Sequence, residues 1–311
     1  MSTFLLRRFL QTIPVLIGVA IISFALSEAS GSPVRAMLGQ SVSPDVKAKV
    51  EAFYGYDKPR YIRFGRYIGG LLHGDMGVSI AKHGTPVGQM IANGMRVTLK
   101  LALGSMIVAV VFGLLSGLFS AWRPNSTIDY ASSAAAAIGI SFPAFFLAML
   151  MLLVFSVRLH WFPLAGYEDG KISYLVLPCL TLGLITTASI ARLSRNCLLE
   201  TMSQDYIRTG QAKGLSEWKV ILGHALPNAL VPVVTIIGND FAALLCGAVL
   251  TETVFGLPGI GSVLYNAIFA RDLPVVMGCC MFLAVVFVAM NLLVDVLYAF
   301  LDPRIQHEVK A

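Results

Sequence analysis

"DYIRTGQAKGLSEWKVILGHALPNAL", residues 205–230, is a polar island in an oily chain. It carries both signs of charge, two glycines at Gly210 and Gly214, and Pro227 near its far end. Asp205 can open a short helix after Ser203, a side chain suited to capping it. Tyr206, Ile207, Gly210, Lys213 and Gly214 then recur at helical spacing. Ile207, Gly210 and Gly214 fall near one face and are read as an apolar knob beside a bare backbone notch. A second helix is expected to start near Ser216 and to run through Trp218, Val220 and Ile221 to Pro227. Together they predict a helical elbow. Gly210 inside a helix costs up to ~1 kcal/mol relative to alanine. Docking of another chain against the notch would offset this; the alternative is a solvated loop that merely turns.

The surroundings decide where such an elbow can lie. The chain has 311 residues, 57% of them hydrophobic and 13% charged, against about 25% charged in soluble proteins. This composition is that of an all-α integral membrane protein. Six stretches are apolar enough to span: Phe9–Leu26, Val97–Ala121, Ala131–Val157, Tyr174–Ala191, Ala229–Thr251 and Val275–Phe300. Lipid offers the backbone no hydrogen-bond partners, so each should be helical. The first stretch, preceded by Arg7 and Arg8, is 18 residues long. Secretory cores run to about 15, so it reads as an uncleaved anchor helix.

Orientation follows from the cations. With the N-terminus in the cytoplasm, the inner segments hold Arg7, Arg8, Arg123, Arg192, Arg195, Arg208, Lys213, Lys219, Arg304 and Lys310. The short outer loops hold only Arg158, Lys171 and Arg271. The net charge of +6 is thus a membrane-sidedness signal rather than a sign of a nucleic-acid partner. Both termini are expected inside. The expected organisation is an N-terminal helix (1–26), an external segment with short helices (27–96), and a five-helix core (97–311) whose cytoplasmic loop spans 192–228. In the external segment, Phe53, Tyr61, Phe64, Tyr67, Ile68 and Leu71 suggest amphipathic helices.

Catalytic signatures are missing. There is no GxxxxGK[ST] phosphate loop, HExxH or GxSxG. The five cysteines form no CxxC pair and read as small buried hydrophobes. His73 and Asp75 have no third metal ligand nearby, so no metal site is expected.

Against this background the island resembles the cytoplasmic loop of membrane subunits of ATP-binding-cassette importers. That family's pattern is EAA, three residues, Gly, nine residues, then I-x-L-P. Gly214 takes the glycine, Leu215–Gly223 the nine, and His224-Ala225-Leu226-Pro227 the end. Arg208-Thr209-Gly210 occupies the EAA positions, with Gly210 in place of the usual alanine. "DYIRTGQAKGL" is similar to the oligopeptide/dipeptide/nickel branch. So are "YDKPRYIRFGRYI", "GDMGVSI", "SFPAFFLAMLMLLVFSV", "AVLTETVFGLPGIGSVLYNAIFARDLPVV" and "NLLVDVLYAFLDPRI", in the same order along nearly the whole chain.

The resemblance implies the type I importer permease fold with six transmembrane helices in the bacterial inner membrane. It implies half of a translocation pore for di- or oligopeptides, with nickel or other metal chelates or glutathione-like solutes as alternatives. It implies a related second permease subunit, one or two ATPase subunits that bind ATP and magnesium, and an extracytoplasmic substrate-binding protein. This chain would hold no cofactor and catalyse nothing. Tyr206, Ile207, Arg208, Gly210, Lys213, Gly214 and Pro227 would couple it to the ATPase. A gradient-driven secondary transporter is the rival class, but it would show inverted repeats, and the sequence has none.

Three polar residues are candidates for the path. Asn239 and Asp240 fall in the fifth span, where an acid costs ~2.5–3.5 kcal/mol and so faces protein or water. Asp240 either lines the pore and attracts a cationic group, or pairs with a serine or threonine of a neighbouring helix. Glu252, at the outer end of that span, suggests a gate or a contact for the binding protein. Asp295 and Asp302 are expected to pair with Arg304 or another interfacial cation.

Overall fold

The structure is a computed structural model that describes residues 2–30, 45, 48, 49, 51, 52, 55–82 and 84–301. Among them Phe53, Asp302, Arg304 and Lys310, all named above, do not fall. The chain is helical: α1 Ser2–Ala29, α2 Arg60–Leu72, α3 Val87–Trp122, α4 Thr127–Ser141 and α5 Ala144–Met151, which continues as a wide π-helical turn over Leu152–Arg158. There follow α6 Ser173–Met202, α7 Asp205–Ala212, α8 Glu217–Val220, a π-helical stretch Ile221–Ala225, and α9 Leu226–Gly247. The chain then forms α10 Val249–Phe255, α11 Ile260–Phe269 and α12 Leu273–Leu301. No strand occurs among the described residues beyond one bridge between Val78 and Pro86.

Five helices are long and apolar enough to cross a membrane: α1, α3, α6, the continuous run from α8 through α9, and α12. The sixth expected span, Ala131–Val157, is not straight. It is two helices bent by 103° at Phe142–Pro143. Pro143 cannot donate a backbone hydrogen bond, and its ring pushes Phe142 to an extended backbone (φ −85°, ψ 126°). Pro14, Pro178 and Pro232 sit inside unbroken helices. The second span also starts earlier than composition suggests. Val87–Arg96, read as external, are helical, and Val87, Ile91 and Gly94 are buried.

The bundle is built on α3 and α6, which share its most extensive helix contact. Small residues let them close. A Cβ on Gly113 would lie 2.8 Å from that of Ile190, on Gly117 2.6 Å from that of Ser194, and on Gly183 2.7 Å from that of Val108. At the end of the bundle where α3 stops, Arg195 of α6 forks onto Asp129 of α4 (Nε–Oδ1 2.6 Å, Nη2–Oδ2 2.7 Å). Ser120 of α3 donates to the same carboxylate, as does the Asn125 N–H at 2.8 Å. This bidentate, charge-assisted pair ties three helices together.

The opposite, far end is closed by two buried acids. Glu252 has no exposed surface. It accepts from Thr98 Oγ1 at 2.5 Å and from the Ser262 N–H at 3.0 Å, and packs directly against Gly259. Thr98 in turn accepts from the Ile260 N–H at 2.9 Å. Glu252 therefore fastens the start of α11 to α3; rather than standing open, as expected above for a gate or docking contact, it is enclosed by this chain beside a cavity that it helps to line. Asp272 does the same for the loop before α3. It accepts from Ser79 Oγ at 2.5 Å and from the Ile80 and Ala81 N–H groups, both at 3.1 Å. Beside these clasps lies a cavity of about 440 Å³ bordered by Lys82, Asn266 and Pro258.

Of the segment before α3, α2 lies against the end of α1. Phe24 meets Phe64 edge-on at 5.2 Å and stacks near Tyr67 at 6.3 Å. Glu28 pairs with Arg63 at 2.6 Å and Arg60 at 3.4 Å. Arg8 at the other end of α1 pairs with Asp295 of α12 at 3.3 Å. The start of α1 and the end of α12 thus lie together.

Replacing Glu252 by alanine takes the acceptor away from the buried Thr98 hydroxyl and Ser262 N–H. The cost should be on the order of 3 kcal/mol, read as a fall in the melting temperature of the purified complex in detergent, with Glu252→Gln falling less. A melting temperature unchanged in Glu252→Ala would contradict the clasp.

Candidate functional site

The elbow forms where expected and is more firmly built than its polarity suggests. α7 begins after Gln204, not under a Ser203 cap. The Ser203 hydroxyl instead donates back to the Glu200 carbonyl at 2.7 Å. The amphipathic pattern of α7 puts Ile207 inward. Ile207 has no exposed surface and packs with Ala121, Leu198, Val220, Ala225 and Ala229. This corrects its assignment as an outward knob: Ile207 is the root of the elbow, not its contact face.

The glycines also differ from expectation. Gly214 has φ +82°, and a Cβ there would meet nothing within 4 Å. What it supplies is the left-handed turn between α7 and α8, since other L-residues pay about 1–2 kcal/mol in that conformation. A Cβ on Gly210 would make only ordinary 3.8 Å contacts with Leu215 and Val220. Within this chain neither glycine relieves a close approach. Tyr206, Arg208, Lys213 and Pro227 are exposed. The Arg208–Asp205 pair is exposed and 3.8 Å apart, so it contributes little.

The second arm does not stop at Pro227. α8, the π-helical stretch and α9 form one continuous helix from Glu217 into the bundle. Pro227 explains the wide turn before it. A proline ring crowds the carbonyl four residues back and donates no bond, so the backbone loosens over Ile221–Ala225. Trp218 packs on Trp122 at the end of α3 (ring centroids 4.5 Å), with the Arg123 guanidinium 4.8 Å from the Trp122 ring centre. Asn228 of α9 donates to the Tyr206 hydroxyl at 3.0 Å. The elbow is therefore fixed to α3, α6 and α9 together.

Of the residues expected along a path, Asn239 is exposed on α9 and Asp240 is half-buried. Ser189 of α6 donates to Asp240 Oδ2 at 3.0 Å. The serine contact foreseen as one reading of Asp240 is present, and the neighbouring Asn239 faces outward. Glu252 is separate from both, in the far-end clasp. His73 and Asp75 satisfy nearby backbone, through the Gly69 carbonyl at 2.8 Å and the Gly77 N–H at 2.8 Å.

Several contacts that shape the site were not read from sequence. Asp129 and Arg195 are 66 positions apart, Trp122 and Trp218 lie on separate helices, and Asp272 reaches back to Ser79. The usable signal was general: a lone acid in an apolar stretch requires a partner.

Comparison with known proteins agrees with this architecture. Residues 109–307 match the family described as binding-protein-dependent transport system inner membrane component, and residues 1–116 match its N-terminal counterpart. A putative peptide transport system permease protein of Brucella abortus (strain 2308) is 40% identical, covering 99% of this chain and all of the relative. An oligopeptide transport system permease protein of Bacillus subtilis (strain 168) and a dipeptide transport system permease protein of Escherichia coli (strain K12) are each 37% identical over 99% of this chain and all of theirs. Among solved structures, an inward-facing form of the MetNI methionine ABC transporter is similar in fold, with a TM-score of 0.57 at 23% identity, covering 69% of this chain and 97% of that one. The chain belongs to the family of binding-protein-dependent transport system inner membrane components, the membrane permeases of ATP-binding-cassette importers.

Proposed function

We propose that this chain forms one half of the pore of an ATP-driven, binding-protein-dependent peptide importer in the bacterial inner membrane. The full-length relatives named for peptide, oligopeptide and dipeptide transport support peptides as cargo over metal chelates or glutathione-like solutes. The second half is a related permease chain. Separate ATPase subunits bind ATP and magnesium, and a binding protein delivers cargo to the outer face.

One observation carries the reading: the α7–α8 elbow is continuous with a spanning helix and rooted in the bundle by Ile207, Trp218 and Tyr206. Moving a gate from 99:1 in favour of one state to 1:99 takes about 5.5 kcal/mol of differential binding. A floppy loop would dissipate that preference. Here a push on the exposed face of α7, around Arg208 and Lys213, passes through the packing of Ile207 and the Tyr206–Asn228 bond into the α8–α9 helix. Those exposed residues contact the ATPase, Ile207 holds α7 in place, and Gly214 and Pro227 shape the two bends.

Two experiments test this. Gln211→Cys, at an exposed elbow position, should cross-link to the ATPase subunit of the purified complex, with a yield that changes when ATP is added. Absence of any cross-link from Gln211→Cys and Thr209→Cys would refute the contact. At Gly214 the demand is conformational, so Gly214→Asn should keep most ATP-driven uptake in proteoliposomes. Gly214→Val should lose about tenfold, because a branched side chain disfavours the left-handed turn by about 1–2 kcal/mol or more. Equal loss in both would point to steric exclusion by a partner instead.

A further inference from the structure

The helices of this bundle present two different kinds of outer surface. α1 exposes Phe9, Ile13 and Ile22, and α12 exposes Val285, Phe287 and Leu293, as lipid-facing helices should. α9 does not. From residue 223 to residue 249 no large apolar side chain is exposed among the described residues. Past Pro227 at its start, the exposed positions of α9 are Asn228, Pro232, Asn239 and Ala243, spaced by four, seven and four residues along one helical face. α6 exposes a single large apolar side chain, Leu184. Small and amide side chains gain nothing from lipid tails, so this sector is turned toward water or protein.

Asp240 sits at the edge of that sector. Ser189 is the one side chain among the described residues that bonds it, and no ion pair reaches it. The hydroxyl engages Oδ2 and so fixes the carboxylate between α6 and α9, leaving the second oxygen free to accept. An acid inside a span, held in orientation and lacking a cation of its own, is completed by a cation arriving from outside the chain.

We propose that the open face of α9 is the wet wall of the translocation path and that Asp240 on it receives the cationic amino end of the cargo. This deepens, and rests on, the importer reading above. An ammonium group brings three N–H donors, and one charge-assisted bond to Oδ1 leaves the Ser189 contact intact. Asn239, one residue away, offers a neutral donor and acceptor to the following amide of a peptide. The site would favour cargo with a free amine over the same cargo with that amine blocked.

The test separates charge from packing. Asp240→Asn keeps an oxygen for Ser189 and removes the charge; Ser189→Ala keeps the charge and removes the hydrogen bond. Both are assembled with the complete transporter, checked by size-exclusion chromatography, and assayed for ATP-driven uptake of dialanine and N-acetyl-dialanine with the same binding protein. Asp240→Asn should lower dialanine uptake about tenfold, the size of one charge-assisted hydrogen bond, and should erode the preference for dialanine by a similar factor. Ser189→Ala removes only the bond that orients the carboxylate and leaves its charge for the ammonium, so it should cost no more than about threefold, with the preference kept. The proposal is overturned if Asp240→Asn transports normally, if both variants lose equally, or if uptake falls while the preference is unchanged. That last result would mark Asp240 as a contact to the second permease. Wild-type complex that shows no ATP-driven uptake at all would instead overturn the importer reading, and this inference with it.

Discussion

The close seam between α3 and α6 is the constraint on which the rest depends. Inside a bilayer there is no water to expel between apolar helices, so association rests on contact itself and on the polar groups that helices share. Gly113, Gly117 and Gly183 remove side-chain bulk where α3 meets α6 and let the two backbones approach. A larger residue at any of these positions would wedge the pair apart by the width of a methyl group or more. Other helices take their places from this pair. α4 is tied to it through Asp129 and Arg195, α11 through Glu252 and Thr98, and α7 and α9 pack at its end around Ile207.

Polar side chains in this chain do two kinds of work, and burial separates them. Glu252, Asp272 and Asp129 are buried and engaged by several donors each. They join separate segments of the chain and spend their oxygens on this chain's own donors. Asp240 is half-buried and engaged once. The elbow shows the same division within a few residues: Ile207 and Val220 face the bundle, whereas Arg208 and Lys213 face out.

Much of the fold was legible because lipid makes composition a strong signal. Five of the six expected spans are long apolar helices, and the elbow falls between the fourth and fifth. Hydropathy could not show that Val87–Arg96 continue α3, because its outer turns pack on protein at Val87 and Ile91 and need not be uniformly apolar. It could not show the bend at Pro143 either, since the residues on both sides are equally oily. At the site, periodicity placed Tyr206, Ile207 and Gly210 on one short helix but ran it on through Lys213 and Gly214, which lie past its end at Ala212, and could not say which residue faced inward. Ile207 turned inward because apolar partners from α3, α6 and α9 meet there. The burial of Glu252 was hidden for a similar reason: an acid at a span end looks accessible until Thr98, 154 positions earlier, is known to bond it.

The corner at Phe142–Pro143 carries one more consequence. Where α4 ends and α5 begins, the last carbonyls of one helix and the first amides of the other have no successors to bond within their own segments. Hydrocarbon tails cannot supply replacements, and each unmet group would cost several kcal/mol there. So this corner of bare backbone needs water, headgroups or another polypeptide beside it. Its two helices leave it in directions 103° apart, so they cannot both run along the membrane normal.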